Sequence, residues 1–287
     1  MHTSSLPPSL KVGCLIGNGS TANVYEYRDD GGRELDGGRE LVCKVTTLRH
    51  RRNFQAEVWA YSKLRKLPGI PEFISSGIID DHQYIVIERV SYTLQDVYHQ
   101  NVSAQYIAIV AADLVKILKS LHKKGVAHGD IKPTNIGFQI KDSGIFPCLL
   151  DFGNARRWKT DVQYRPGTFS GTVDFASVNV LGGHLPSPRD NVISLAYSLI
   201  HVLTDNLPWT WSPWNFEIPL GLSRLAERQF YACIKTNVNT GMRDSVRGPV
   251  ADELMDLLDH ASSLEYAGVP DYAQFITVFR DLGTATL

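Results

Sequence analysis

The sequence predicts an α+β fold in two unequal parts, a β-rich first third and a larger, mostly helical remainder joined near residue 90. Three observations carry this reading. As far as Val90, apolar residues come in short strand-like runs broken by glycine and proline, with one helical stretch among them. Beyond Val90 they recur at helical spacing over long stretches. The length of 287 residues, at roughly 150 per domain, suits two domains or one large unit in two parts.

In chain order, Val12, Cys14 and Ile16 alternate, Gly17-Asn18-Gly19 breaks the run, and Val24-Tyr25 resumes it, which gives strand, turn, strand over 11–28. Residues 29–39 are polar and glycine-rich and read as a solvated hairpin loop. Residues 41–46 form the next strand. Phe54, Val58, Tyr61 and Leu64 then mark a helix that Pro68-Gly69 stops, and residues 84–87 form a short buried strand. After Val90, Ile107, Val110, Leu114 and Leu121 line a long amphipathic helix ending at Gly125. Further helices are expected over 192–203, 222–235, 250–264 and 272–282.

Composition narrows the function classes. Hydrophobic residues make up 43%, and a chain of this length buries about three quarters of its unfolded surface, enough for a core without staples. The 29 Lys and Arg balance 30 Asp and Glu, which argues against a broadly basic nucleic-acid binder. Cys14, Cys43, Cys148 and Cys233 form no C-x-x-C pair and read as isolated core thiols rather than a zinc site or disulfide. No secretory signal opens the chain and no stretch reaches the ~20 apolar residues that span a bilayer. An intracellular, reducing location, cytoplasmic or nuclear, is expected, with no membrane partner.

Three motifs carry chemistry. Gly17-x-Gly19-x-x-Ala22-x-Val24, alone, is as ordinary as any glycine turn between strands, but it also suits a lid whose backbone N–H groups approach phosphates. A dinucleotide fold needs a helix directly after the glycines, and Val24-Tyr25-Glu26-Tyr27 reads as a strand instead. Lys44 ends the run Leu41-Val42-Cys43-Lys44 and Glu57 follows on the next helix, in the order of a phosphate-neutralising cation and the carboxylate that fixes it. The strongest segment is His128-Gly129-Asp130-Ile131-Lys132-Pro133-Thr134-Asn135 followed by Leu149-Leu150-Asp151-Phe152-Gly153. Phosphoryl transfer to a hydroxyl needs a carboxylate at the attacking oxygen, for which Asp130 is suited. It also needs oxygen ligands for Mg2+, here Asn135 and Asp151, and a further cation, Lys132.

With these residues in place the chain resembles a eukaryotic-type protein kinase over nearly its whole length. Beyond Asp151 it is similar to the casein kinase I group, which includes the vaccinia-related kinases. The likeness rests on Gly171-Thr172-Val173-Asp174-Phe175-Ala176-Ser177-Val178-Asn179, Ser187-Pro188-Arg189-Asp190-Asn191, Leu207-Pro208-Trp209 and Pro270-Asp271-Tyr272. The resemblance implies a bilobal fold. Its N-lobe (11–90) would be a small antiparallel sheet with one main helix and its C-lobe (91–282) mostly helical, after an extension at 1–10 and before a tail at 283–287. It implies ATP and Mg2+ in a cleft between the lobes, with Ile16, Gly17, Gly19 and Val24 over the nucleotide and Lys44 and Glu57 at its phosphates. Ile87 would guard the cleft, and backbone groups of Glu88 and Val90 would bind adenine. Thr172 would help seat the substrate hydroxyl beside Asp130 and Lys132. A monomer acting on serine and threonine of protein substrates is expected.

Departures from the pattern bear on activity. Ala22 takes the third glycine position and fits if its φ stays negative, Thr21 stands at a lid tip that is often aromatic, and Ser262 replaces a usual arginine. Asn191 replaces the usual aspartate under the catalytic loop, accepting hydrogen bonds without charge, which suggests slower catalysis. Gly129 replaces the arginine that receives a phosphorylated activation loop in many kinases, so independence from activating phosphorylation is expected. Arg156, Arg157, Lys159 and Arg165 read either as a solvated basic loop or as attraction for acidic or already phosphorylated substrates, as the group resemblance implies. Arg49-His50-Arg51-Arg52 would suit nuclear import, but its place between Lys44 and Glu57 favours a solvated β–α loop. Two other functions compete. A small-molecule phosphotransferase lacks Lys132-Pro133 and the 171–179 segment, and a nucleotide-binding scaffold has no need of Lys44, Glu57, Asp130, Asn135 and Asp151 together.

Overall fold

The computed structural model describes residues 10, 12–19, 21–27, 40–100, 102–159, 163–165, 169–205, 207–209 and 223–285. The chain opens with β1 (Val12–Asn18), β2 (Asn23–Tyr27) and β3 (Leu41–Thr47), then α1 (Arg51–Leu64), β4 (Phe73–Ile79) and β5 (His82–Glu88). These strands form one antiparallel sheet in the order β1-β2-β3-β5-β4. The hairpin loop expected at 29–39 lies outside the described residues. Leu10, assigned by sequence to an extension, is instead buried with Leu41, Cys43, Val45 and Val86. Of the basic run 49–52, expected as a loop, Arg51 and Arg52 begin α1 and keep their charges exposed.

Strand β6 (Tyr92–Thr93) and the short α2 (Leu94–Val97) lead into α3 (Ala104–Lys123). The helical remainder is not all helix: β7 (Val126–Ala127), the hairpin β8 (Ile136–Lys141) and β9 (Gly144–Leu149), and β10 (Arg156–Arg157) surround the 128–135 segment. Then come α4 (Val178–Leu181), α5 (Pro188–Thr204), α6 (Arg224–Ser245), α7 (Pro249–Ser263) and α8 (Tyr272–Thr284). Helix α6 runs ten residues past the expected end, and the expected start at 222 lies outside the described residues.

Helix α3 begins where Ser103 caps the backbone N–H of Tyr106 and stops before Gly125, whose φ of +78° turns the chain toward β7. Helix α5 starts at Pro188 behind a capping box of Ser187 and Asp190 and is buried along most of its length. One continuous core joins α1 and the inner face of the sheet to α3, α5, α7 and α8. A smaller cluster covers the other sheet face. This is the bilobal arrangement, with the Asp130 and Asp151 segments where sheet and helices meet.

Candidate active site

Lys44 lies mid-strand in β3, opposite Ile85 of β5, so the ladder fixes its backbone and sends its side chain under the sheet. Its ammonium donates to Glu57 Oε2 at 2.8 Å and to Asp151 Oδ1 at 2.7 Å. Burial works against the charge, yet the two carboxylates hold the ammonium above its usual range. Burial pushes Glu57 up, with Lys44 opposing it, while Lys44 and the Gly153 N–H hold Asp151 below the usual carboxylate range despite its own burial. Asp151 sits at φ 58°, a left-handed conformation from which its side chain caps Gly153 and reaches Lys44.

The catalytic segment is held by rings and hydrogen bonds. Phe73, Tyr61, Phe152 and His128 form a column with successive centroid separations of 5.8, 5.2 and 4.7 Å, linking β4 and α1 to the loop before Asp130. His128 Nε2 donates to Leu150 O at 2.9 Å, and its Nδ1 accepts from the Asp130 N–H at 3.3 Å. Burial holds this histidine below its usual pKa, in line with the neutral tautomer those two bonds require.

Around Asp130 the chain gathers its polar groups. Thr172 Oγ1 donates to Asp130 Oδ1 at 2.8 Å and accepts from Lys132 Nζ at 2.8 Å. Lys132 Nζ also lies 3.4 Å from Asp130 Oδ2. Asn135 Nδ2 donates to the Asp130 carbonyl at 2.8 Å, which leaves Asn135 Oδ1 free of any hydrogen bond among the described residues. Asn135 Oδ1 and the second oxygen of Asp151 are hard donors lining one cavity. That chemistry fits Mg2+, which takes one or two protein oxygens and completes its shell with phosphates and water.

That cavity, of about 580 Å³, is lined by Ile16, Gly17, Gly19, Val24, Lys44, Glu57, Ile87, Glu88, Val90, Asn135 and Asp151, bringing together the residues singled out for a nucleotide and its metal. The lid turn is held where Gly19 N–H donates to Ala22 O at 2.9 Å and Thr46 Oγ1 donates to Thr21 O at 2.7 Å. Ala22 keeps a negative φ, the condition for filling a glycine position. Asp130, Lys132 and Thr172 line an adjoining 290 Å³ cavity that shares Lys44, Glu57 and Asp151 with the first. A larger cavity of about 1010 Å³ behind the 88–91 segment touches neither Lys44, Asp130, Asn135 nor Asp151, so size does not mark the site.

Several site residues carried no signal in the sequence. Asn53 and Asn154 bond to the Asp151–Asp130 region, and His122 supports Asn191 from below. Lys235 is fully buried and donates to the carbonyls of Val173, Asp174 and Ala176. Only side-chain contacts between distant segments distinguish these from surface amides and helix-end cations. Of the four thiols, Cys43 and Cys148 are buried, whereas Cys14 and Cys233 are exposed, which corrects the expectation of four core thiols.

Residues 10–260 match the protein kinase domain family. Over 214 residues, 68% of this chain and 30% of the relative, it is 36% identical to a casein kinase 1-like protein, HD16, of Oryza sativa subsp. japonica. The chain thus spans less than a third of that relative's length.

Proposed function

This chain belongs to the protein kinase family, and from that premise we propose that it transfers the γ-phosphoryl group of ATP to serine and threonine hydroxyls of proteins. The observation that carries the reading is the bonding of Lys44 to both Glu57 and Asp151 on the wall of a cavity that the hydrogen-bonded Asp130–Thr172–Lys132 group also lines.

In this mechanism the nucleotide lies under the 17–24 turn, with adenine against backbone groups of Glu88 and Val90 and Ile87 at the back of the cleft. Lys44, held by Glu57, neutralises phosphate charge. Asn135 and Asp151 would hold Mg2+, which when bound supplies charge neutralisation at the phosphate oxygens. The acceptor hydroxyl sits beside Asp130 and Thr172, and Asp130 takes its proton as the new O–P bond forms and the bond to the leaving ADP breaks. Lys132 balances the charge on the transferred group.

The acceptors are acidic or already phosphorylated segments. Exposed Arg157, Lys159 and Arg165, on the segment that follows Asp151, support this, whereas Arg156 is half-buried and contributes less. The lobes divide at residue 90, between β5 and β6, with units 11–90 and 91–282. The enzyme works as a monomer inside the cell; four free thiols support that location, and no described helix is long and apolar enough to cross a membrane.

The test is labelled ATP with Mg2+ and a casein-like acceptor, comparing wild type with Asp130→Asn and Lys44→Met. Protein labelling lost in both variants is the expected result. Labelling retained in Asp130→Asn, transfer only to small alcohols, or nucleotide binding without transfer would each overturn the reading.

A further inference from the structure

We propose that Asn154 is a positioning residue for Asp130 and that, with Asn53, it ties the catalytic carboxylate directly to helix α1. The inference rests on the role of Asp130 given above.

Helix α1 places Asn53 and Glu57 four residues apart, hence on one face. Glu57 grips Lys44. Asn53 Nδ2 donates to Gly153 O at 3.0 Å and to Asn154 Oδ1 at 3.2 Å. Ser170 Oγ donates to the same Asn154 Oδ1. Asn154 Nδ2 in turn donates to Asp130 Oδ2 at 3.4 Å.

Donor chemistry fixes the direction of this relay. Asp130, ionised, only accepts, so the side of Asn154 facing it must be the NH2 group. The opposite side must then be the oxygen, and it receives two donors. Asn53 is oriented for the same reason, because its NH2 faces two oxygens and a flipped amide would set oxygen against oxygen. A glycine brings the parts together: a Cβ at Gly129 would lie 2.7 Å from the Asn154 carbonyl oxygen.

The contact to Oδ2 is long. Asn135 Nδ2 at 3.5 Å and Lys132 Nζ at 3.4 Å surround the same oxygen, while Thr172 holds Oδ1 closely. Catalytic hydrogen bonds are often long without substrate and tighten in the reacting complex. An outward shift of α1 would thus loosen Lys44 through Glu57 and Asp130 through Asn53 and Asn154. The position of one helix enters both phosphate binding and the proton transfer.

The test uses Asn154→Leu, Asn53→Ala, their double variant and Asn154→Asp, with kcat, both KM values and thermal unfolding measured for each. Asn154→Leu keeps the volume and removes the donor. It is expected to lower kcat about tenfold, with KM for ATP within about twofold and the unfolding midpoint little changed. Asn53→Ala should lower kcat in the wild-type background and add nothing in Asn154→Leu. Asn154→Asp removes the donor and sets a second carboxylate beside Asp130, and should lower kcat further than Asn154→Leu with KM for ATP still within about twofold.

Wild-type kcat in Asn154→Leu, or a KM for ATP that rises as far as kcat falls, overturns the proposal. Asp130→Asn separates the two claims: if it turns over normally, the role of Asp130 falls, and if it is dead while the Asn154 variants are normal, only the positioning role falls. Should the wild type transfer no phosphate, the Asn154 side-chain NH2 resonances decide, since they must shift in Asp130→Ala, and unmoved resonances overturn the claim.

Discussion

Asn191 Oδ1 accepts the backbone N–H of His128 at 2.7 Å, so the neutral amide makes the contact that steadies the catalytic loop. The same oxygen accepts from His122 Nε2 at 3.1 Å, and His122 Nδ1 accepts from the Tyr272 hydroxyl at 2.6 Å. The sequence reading stressed the missing charge at residue 191. In the structure the amide oxygen makes the hydrogen-bond acceptance that the sequence allowed it. Asn191→Leu is therefore expected to leave the buried His128 N–H unpaired, costing about 1–3 kcal/mol of stability and lowering kcat. Asn191→Asp should stay near wild type in both. Chemical denaturation and steady-state kinetics on the two variants check this, and equal damage by both would refute it.

His122 makes stability depend on pH. Burial pushes its pKa down to about 4, against about 6.5 in an unfolded chain. Between those values the unfolded state binds the extra proton, so stability falls as pH drops from about 6.5 toward 4. The group is fully buried, and the full window corresponds to about 3 kcal/mol. His122→Gln cannot titrate and should lack this part of the decline. Unfolding free energies from pH 7 to 4 for both proteins provide the check, and parallel curves would exclude His122 as the source.

Lys44 joins a carboxylate from each lobe, so its removal should damage both nucleotide binding and turnover. Lys44→Met is expected to lower kcat/KM for ATP about a hundredfold, the scale seen when one preorganised donor is removed. Glu57→Gln keeps a hydrogen-bond acceptor at the same place and should lose less. Comparing the two variants by nucleotide titration and steady-state rates would expose an error if Glu57→Gln were the worse.

The parts legible in the sequence were those with strong local signals. Helix α3 has an unbroken apolar face and a glycine stop. Lys44, Glu57, Asp130, Asn135 and Asp151 stand in a fixed order along the chain. Strand β4 escaped notice because Ser75-Ser76-Gly77 reads as a turn and the strand lies at the sheet edge with Ile74 and Ile78 exposed. The β8–β9 hairpin was hidden by Pro147, which an edge strand tolerates. Asn53, Asn154, His122 and Lys235 act through partners from 16 to 150 residues away in the chain, and no local pattern can report such pairs.

Gly129 is more than an absent arginine. Its φ is +83°, and a Cβ there would come within 2.7 Å of the Asn154 carbonyl oxygen. Gly129→Ala should therefore cost about 1 kcal/mol or more and lower kcat by displacing Asn154. The enzyme as expressed, after phosphatase treatment, is expected to keep its activity because residue 129 offers no cation for a phosphorylated loop. Restored activity on rephosphorylation of a phosphatase-inactivated sample would contradict this.

Lys235 supports the segment that follows Thr172. Its ammonium donates to three backbone carbonyls, those of Val173, Asp174 and Ala176, at 2.8, 2.8 and 2.7 Å. It also lies 4.8 Å from the Tyr197 ring centroid and 4.6 Å from that of Trp209, whose indole N–H donates to Asp174 O. One side chain from α6 thus holds three carbonyls of the 173–176 stretch that follows Thr172, with ring faces on α5 and at residue 209 beside it, while burial pushes its pKa well below the usual lysine range against the pull of Asp174. Lys235→Met fills similar volume but leaves those carbonyls with fewer donors, so a loss of about 3 kcal/mol is expected. The nucleotide cavity touches neither Lys235 nor residues 173–176, whereas Thr172 sits immediately before them. At a temperature where the variant remains folded, KM for a protein acceptor should consequently rise several-fold while KM for ATP stays close to wild type. Equal rises in the two constants would mean that Lys235 acts on the fold as a whole and not on the acceptor segment.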